Sequence, residues 1–409
     1  DPESKTAFYN EIAKKLLGFT EELERTNYTQ AVSREYSIPY DDLRKLVNSM
    51  AMKGGIVKPQ TKLKSGINEK NKKEDFMKLR IDLKEKSYDI HIEKGILYRI
   101  KEYIDLNRKV MIVTDTGVPK KYIDIVKAQC SDGYSIVVEQ GEGAKSFRVF
   151  EEVCQKLLEC GFHRKDLVIA LGGGVIGDLA GFSAASYMRG IDFINIPTTT
   201  LSQIDSSIGG KTAINLGDTK NIIGAFYQPK GVFIDPEVLE TLPKRHYYNG
   251  LVEALKAGLI YDEKLFEIFE EKDIESSLQE IIYRALLVKK DVVEKDEREE
   301  NLRKILNFGH TIGHGIEGFF HLKDVLHGEG VAMGMLPMIE NEELRERTKN
   351  ILKKMNIDTE IKYDCDKVFE LMLKDKKADQ DKITLVKVRE LGKAELVKVP
   401  MEECKNYLK

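Results

Sequence analysis

Four of the chain's seven histidines, His310, His314, His321 and His327, fall within eighteen residues. His310 and His314 stand four apart in NFGHTIGHGIE, so a helix would place both imidazoles on one face. Two stacked imidazoles can begin a zinc site, or divide into one ligand and one catalytic base. An isolated pair of this spacing is also compatible with plain surface or core histidines. His327, in LHGEG ahead of a further helical stretch, is another candidate. A carboxylate must come from elsewhere, and GLVEALKAG offers Glu253 in an otherwise apolar helix, where an acid is costly unless paired or metal-bound. Two imidazoles and one carboxylate leave a coordination position open, which suits a catalytic metal better than a structural one. Lys256 lies one turn along the same helix.

The run LVIALGGGVIGDLAGFSAASY sets Gly172, Gly173 and Gly174 between an apolar strand and a helix. Without Cβ atoms the backbone can approach a phosphate, and the helix start directs free N–H groups and a partial positive charge at it. The same glycines would also serve a tight βα turn with no ligand. Cations, with two asparagines among them, gather in other motifs: Lys211 in DSSIGGKTAIN, Lys220 and Asn221 in GDTKNIIGAF, and Lys289 and Arg303 ahead of NFGH, whose first residue is Asn307. Each alone reads as a solvated surface group; beside the glycine and histidine motifs they suit a phosphorylated, carboxylated small molecule.

These residues need elements to position them. At 409 residues the chain is too long for one core, so two or more domains are expected. Residues 6 to 51 read as helices only, with Phe8, Ile12, Leu16 and Leu17 and then Leu43, Leu46 and Val47 at helical spacing. From Lys53 the sequence turns lysine- and glycine-rich, as a linker does. KLRIDL, YDIHIEKG, KVMIVTD, YSIVVEQ and LVIALGG then alternate with helical stretches, the signature of a parallel sheet of βα units. After about Thr241 amphipathic helices take over, and ITLVKV and KAELVKV form a late hairpin. The expected plan is a helical extension (1–52), a linker (53–77), an α/β nucleotide-binding domain (78–240) and a mostly helical metal- and substrate-binding domain (241–409), with the ligand cleft between the last two.

With 42% apolar and 33% charged residues, the composition is that of a soluble globular protein, and no apolar run approaches a membrane span. The first residues lack the order of a secretory signal, so a cytoplasmic location is expected. Five scattered cysteines without a CxxC suggest neither disulfides nor a cysteine metal site. A net charge of −3 gives no global basis for nucleic-acid binding.

Taken in series, LGGGVIGDLAGFSAASYMRG, IPTTTLSQIDSSIGGKTAIN, KNIIGAFYQP, GLVEALKAG, KDERE, LNFGHTIGHGIE and LHGEGVAMG resemble the 3-dehydroquinate synthase family, over about Leu79 to Lys409. The resemblance implies conversion of 3-deoxy-D-arabino-heptulosonate 7-phosphate into 3-dehydroquinate and phosphate in the shikimate pathway. It implies NAD and zinc, with cobalt possible, as cofactors. Carried over, it makes Glu253, His310 and His327 the metal ligands. Lys211, Asn221, Lys256, Lys289, Arg303, Asn307, His314 and Lys376 would face substrate, with Asp205 beside them. For NAD it implies Asp115 at the ribose, Glu142 and Lys145 nearby, Gly173 and Gly174 at the pyrophosphate, and Asp178, Thr198, Thr199, Lys220 and Thr241 around the pocket. Arg189 resembles an arginine that reaches a neighbouring subunit's phosphate site, which implies a homodimer. Two departures stand out: Tyr247-Tyr248-Asn249 replaces a more often small or acidic segment, and Ala257 a commonly aromatic residue.

The implied chemistry opens with transient hydride withdrawal from C5, aided by metal polarisation of the C4 and C5 hydroxyls. The C5 ketone acidifies C6, phosphate leaves, the hydride returns, and ring opening and aldol closure complete the carbocycle. Rival expectations are another sugar-phosphate cyclase and a metal-dependent polyol dehydrogenase, which would release NADH and not need the lysine set. Residues 1–73 are similar to a segment of bacterial DNA primase, without its catalytic motifs. A non-enzymatic reading, a primase- or helicase-associated binding module, would predict decayed metal and lysine positions, and these are intact.

Overall fold

The computed structural model describes residues 76–217, 219–320, 324–375 and 382–408, together with 11–13, 15, 32, 43 and 47. The chain divides into two compact units, Asp1–Glu74 and Asp75–Lys409. In the first, the few described residues are helical, as the periodicity predicts, and Ala13, Leu43 and Val47 are buried. The rest of the primase-like segment, the linker up to residue 75, His321 and Lys376 lie outside the described residues.

The second unit is built on a seven-stranded sheet. Its strands are β1 (Met77–Ile81), β2 (Tyr88–Ile92), β3 (Lys109–Asp115), β4 (Asp132–Val138), β5 (Leu167–Gly172), β6 (Asp192–Pro197) and, after a separate hairpin of β7 (Lys211–Leu216) and β8 (Thr219–Phe226), β9 (Gly231–Ile234). The spatial order is β1-β2-β9-β6-β5-β3-β4. Helices α1 (Lys120–Lys127), α2 (Phe147–Glu159) and α3 (Gly174–Ser186) make the crossovers.

β3 and β5 show why these runs are strands. Val110, Ile112, Leu167, Ile169 and Leu171 pack into one apolar cluster, while Met111, Val113, Val168 and Ala170 pack into another. Side chains alternate faces with period two, and both faces are covered, so the runs are apolar throughout. The parallel-sheet expectation needs one amendment: β1 pairs antiparallel with β2, Met77 opposite Ile92. An apolar alternation marks a strand without fixing its direction.

From residue 244 the chain is mainly helical: α4 (Lys244–Ile260), α5 (Glu263–Glu271), α6 (Leu278–Lys295), α7 (His310–Phe319), α8 (His327–Met335), α9 (Glu342–Lys354) and α10 (Cys365–Asp375). The expected hairpin follows as β10 (Lys382–Glu390) and β11 (Lys393–Pro400). Helices α7 and α8 pack closely enough that a Cβ on Gly334 would collide with the carbonyl oxygen of Gly309. No disulfide joins any of the five cysteines, and no helix among the described residues is long and apolar enough to cross a membrane.

Candidate active site

Glu253 sits near the middle of α4 and is almost wholly buried. Its Oε2 accepts a hydrogen bond from Lys256, one turn on, whose ammonium also donates to Leu306 O at 2.6 Å. Its Oε1 has no hydrogen-bond partner. That orphaned oxygen lies 3.8 Å from His310 Nε2 and 3.5 Å from His327 Nε2, contacts too long to be hydrogen bonds. One ligand atom from each of the three residues falls within 4.8 Å of the others.

Both imidazoles are aimed from behind. His310 Nδ1 lies 3.2 Å from Phe308 O, and His327 Nδ1 lies 3.0 Å from Glu317 Oε1. A partner on Nδ1 favours the tautomer whose Nε2 carries a free lone pair, the usual support for a metal-binding histidine. His314, Glu317 and His327 also make a close group. There Glu317 engages Nδ1 of His327, the nitrogen turned away from Glu253, and so acts as an orienting partner to the first trio. His314 keeps the expected i, i+4 relation to His310, with ring centroids 5.3 Å apart, but it is exposed and outside the trio.

The electrostatics agree with a cation site. Burial alone would raise the Glu253 carboxyl, yet Lys256, His310 and His327 hold it well below the usual range. Burial, then Lys256, drives His310 well below an ordinary histidine. Burial opposes charge on His327 too, but Glu253 and Glu317 push it up to about 10. The two carboxylates that favour a proton on His327 would favour a metal ion there as well, in competition with that proton, while burial and Lys256 disfavour a proton on His310.

The lysines form a second set, each paired with an acid. Lys289 donates to Asp205 Oδ1 at 2.7 Å, and burial drives its ammonium down against the pull of that carboxylate. Lys211 pairs with Glu299 Oε2, while Asn307 Nδ2 donates to Glu299 Oε1 at 2.6 Å. Arg303, buried, donates to Glu297 O at 2.5 Å and packs against Gly209, whose φ of +94° and lack of a Cβ let the guanidinium approach. Lys220 Nζ lies 4.0 Å from Glu317 Oε2, which puts it beside the imidazole helix.

The glycine turn lies where the topology places a nucleotide. From β3 the chain moves outward to β4 and then returns to the other side of β3 to form β5, so the carboxyl ends of β3 and β5 flank a switch point. Asp115 ends β3; Gly172 ends β5, and Gly173 caps α3. Asp115 Oδ1 accepts from Gly117 N at 2.8 Å, and burial raises its pKa. Ser206 Oγ, buried and without a partner, would be only 2.8 Å from a Cβ on Gly174. Thr198 N donates to Gly172 O at 2.9 Å, and Thr199 Oγ1 lies 2.8 Å from Ser202 Oγ. Lys145 donates to Asp178 Oδ2 at 2.6 Å and to Asn221, with Glu142 at 3.8 Å. Thr241 Oγ1 donates to Val238 O at 3.0 Å. Arg189 stands apart, exposed beyond the far end of the 13-residue α3, about 20 Å from the turn.

Sequence reasoning missed Glu317 and Glu299. Glu317 had a readable signal, a lone acid three residues after His314 on the same helix. Glu299 lay inside the quoted KDERE, but only the fold shows that it faces Lys211 and Asn307.

A sheet with a nucleotide-type switch point, followed by helices that converge an acid and two imidazoles, defines the class: α/β enzymes that work a metal against a dinucleotide. Residues 135–249 match the model of the 3-dehydroquinate synthase N-terminal domain and residues 250–378 that of the C-terminal domain. A 3-dehydroquinate synthase of Thermoanaerobacter pseudethanolicus is 42% identical over 354 residues, 81% of this chain and 99% of that one. The chain belongs to the 3-dehydroquinate synthase family. Among solved structures, a 2-deoxy-scyllo-inosose synthase complexed with carbaglucose-6-phosphate, NAD+ and Co2+ superposes with a TM-score of 0.74 at 25% identity, covering 81% of this chain and 99% of that one. A 2-epi-5-epi-valiolone synthase from Streptomyces hygroscopicus subsp. jinggangensis 5008, with NAD+ and Zn2+ bound, gives 0.72 at 27% identity, covering 80% and 97%.

Proposed function

We propose that the chain converts 3-deoxy-D-arabino-heptulosonate 7-phosphate into 3-dehydroquinate and inorganic phosphate, as a carbon–oxygen lyase using NAD and a divalent metal, zinc or alternatively cobalt. The observation that carries this reading is the unpartnered Glu253 oxygen facing two imidazole Nε2 atoms. The identity to 3-dehydroquinate synthases supports this substrate over those of the two solved cyclases, to which the chain is less similar.

Glu253, His310 and His327 would hold the metal. Asp115, Gly173, Gly174, Asp178, Thr198, Thr199 and Thr241 would hold NAD, with Glu142, Lys145 and Lys220 at its margin. When bound, the metal polarises substrate hydroxyl oxygens and the nicotinamide takes up and returns a hydride. The protein's own groups do the rest. Lys211, Asn221, Arg303 and Asn307 bind the anionic substrate by charge-assisted hydrogen bonds, Lys211 and Asn307 exchanging their shared Glu299 partner for it. Lys256, Lys289 and Asp205 orient the reacting carbons, and His314, exposed beside the imidazole pair, can pass protons to water. Lys376 completes the substrate contacts. The leaving phosphate serves as a base, in keeping with a site rich in lysine.

Arg189, remote within its own chain, would serve the phosphate site of a second copy in a homodimer. The enzyme works in the cytoplasm, divides near residue 240 into nucleotide-binding and metal-binding domains, and carries residues 1–73 as an appendage without a chemical role. The deciding experiment measures phosphate release from the heptulosonate phosphate, with and without chelator, while following absorbance at the NADH band. Chelator-sensitive release without net NADH supports the reading; accumulating NADH would indicate a dehydrogenase.

A further inference from the structure

Arg245, Asn249 and Glu253 succeed one another at intervals of four along α4 and so share one face. The first turn of α8 lies against that face. His327 is the first residue of α8, and the residue before it, Leu326, has no side-chain atom able to accept a hydrogen bond. A helix start normally has such an acceptor, serving the second or third backbone N–H. Here it comes from another helix: Asn249 Oδ1 accepts from Gly328 N at 2.6 Å and from Glu329 N at 3.2 Å, all three residues being buried. Arg245 adds a two-pronged contact, its Nε and a terminal nitrogen each 2.8 Å from a Glu329 carboxylate oxygen. Glu329 Oε2 in turn accepts from Leu326 N at 2.8 Å. A Cβ on Gly328 would collide with the Asn249 carbonyl oxygen, so the two backbones touch with no space for water.

We infer that Asn249 is a positioning residue for the metal centre: by capping α8 from α4, it sets where His327 stands relative to Glu253. Asn249 and Glu253 are four residues apart on a rigid helix, about 6 Å along its axis. The bond that fixes the start of α8 on α4 therefore also fixes the first imidazole of α8 against the carboxylate of α4. Remove the acceptor and two buried N–H groups lose their partner, a cost the first turn relieves by moving away and carrying His327 with it. Gly328 and Glu329 are the residues immediately after His327, so little chain is available to absorb that movement before the ligand.

The inference rests on the metal reading above. Its test uses the full chain, stripped of metal and titrated with Co2+ against a competing chromophoric chelator, with the visible spectrum of the bound ion recorded. Asn249→Ala is expected to weaken Co2+ about tenfold or more, the lower range for an outer partner of a metal ligand, and to alter the spectrum. Asn249→Asp keeps an acceptor of the same shape and is expected to restore most of the affinity and the wild-type spectrum. Loss of affinity in the first variant with recovery in the second supports the inference. Wild-type affinity and spectrum in Asn249→Ala, no recovery in Asn249→Asp, or an Asn249→Ala chain unfolded by circular dichroism each overturn it, the last because the residue would then hold the fold and not the ligand. A wild-type chain that takes up no Co2+ overturns the metal reading itself, a result distinct from failure of the variants.

Discussion

The acid–imidazole centre and the lysine cluster both gather charged groups, buried or half-buried in the first and in the second ranging from buried Lys289 to half-exposed Lys211, and they settle that charge in opposite ways. Around Glu253 one carboxylate oxygen is left without a donor, and the two nearest nitrogens are held at distances where no hydrogen bond forms. Around Lys211 and Lys289 each cation already faces an acid: Glu299 takes Lys211 and Asn307 together, and Asp205 takes Lys289. The difference follows from the ligands. A metal ion needs lone pairs preset to a common point, whereas an anion can enter by exchange, replacing internal carboxylates with its own oxygens. One region is prebuilt and the other is neutralised until its ligand arrives.

The sharpest break in that contrast comes from the ligands themselves. Glu253→Ala and His310→Ala should each abolish turnover and metal content while circular dichroism shows a folded chain, since each removes one of three ligands. The effect should exceed the roughly 100-fold that loss of an outer partner can cost. Full activity in either would end the metal assignment. Glu317→Ala comes next. It leaves the trio in place but frees His327 Nδ1, and metal affinity should drop by about 10- to 100-fold in a chelator competition.

On the neutralised side the sign reverses. Glu299→Gln removes the internal carboxylate from Lys211 and Asn307, so inorganic phosphate should bind more tightly in calorimetry. Lys211 is half exposed, and an ion pair of that kind is worth up to about 1 kcal/mol, so the gain should be about two- to fivefold. Weaker phosphate binding would show that Glu299 supports the anion site and does not compete for it.

Asp115 gives a smaller, pH-dependent effect. Burial raises its pKa, so it protonates at higher pH than an ordinary aspartate. As pH falls through that value, the carboxylate loses its ability to accept from ribose hydroxyls and NAD should bind more weakly. The same protonation relieves a buried charge, so the NAD-free fold should gain stability over the same pH interval. Asp115→Asn should flatten the pH dependence of NAD affinity measured by fluorescence titration.

How far these regions were legible in the sequence depended on the range of the contacts that make them. The His310–His314 spacing, the glycine turn and the apolar runs of β3 and β5 express short periods, and each could be read from the text alone. The β7–β8 hairpin was not read as such, because β8 is mostly exposed and TKNIIGAF lacks a clear inside–outside alternation. Asn249 was visible only as a departure from a family pattern; its role as a cap joins positions 79 and 80 residues apart, a relation without local periodicity. Glu253 was picked out because an acid in an apolar helix demands an explanation, but the open valence on its Oε1 is a property of the fold.

The smallest expected effect tests where the enzyme begins. Residues 1–74 and 75–409 are separate compact units, and every group assigned above to metal, nucleotide or substrate belongs to the second. The relatives support the same boundary: the match to the Thermoanaerobacter synthase spans 99% of that protein but 81% of this chain. A complete catalytic unit should therefore survive without the extension, and removing residues 1–73 should leave the steady-state rate and the Co2+ affinity unchanged within error. The truncation leaves β1 intact, which matters because β1 covers the edge of β2 and Leu79 and Ile81 pack into the same apolar cluster as α4. If the rate falls while Co2+ affinity holds, the extension acts on the neutralised region and not on the prebuilt one; if both fall, the two units fold as one.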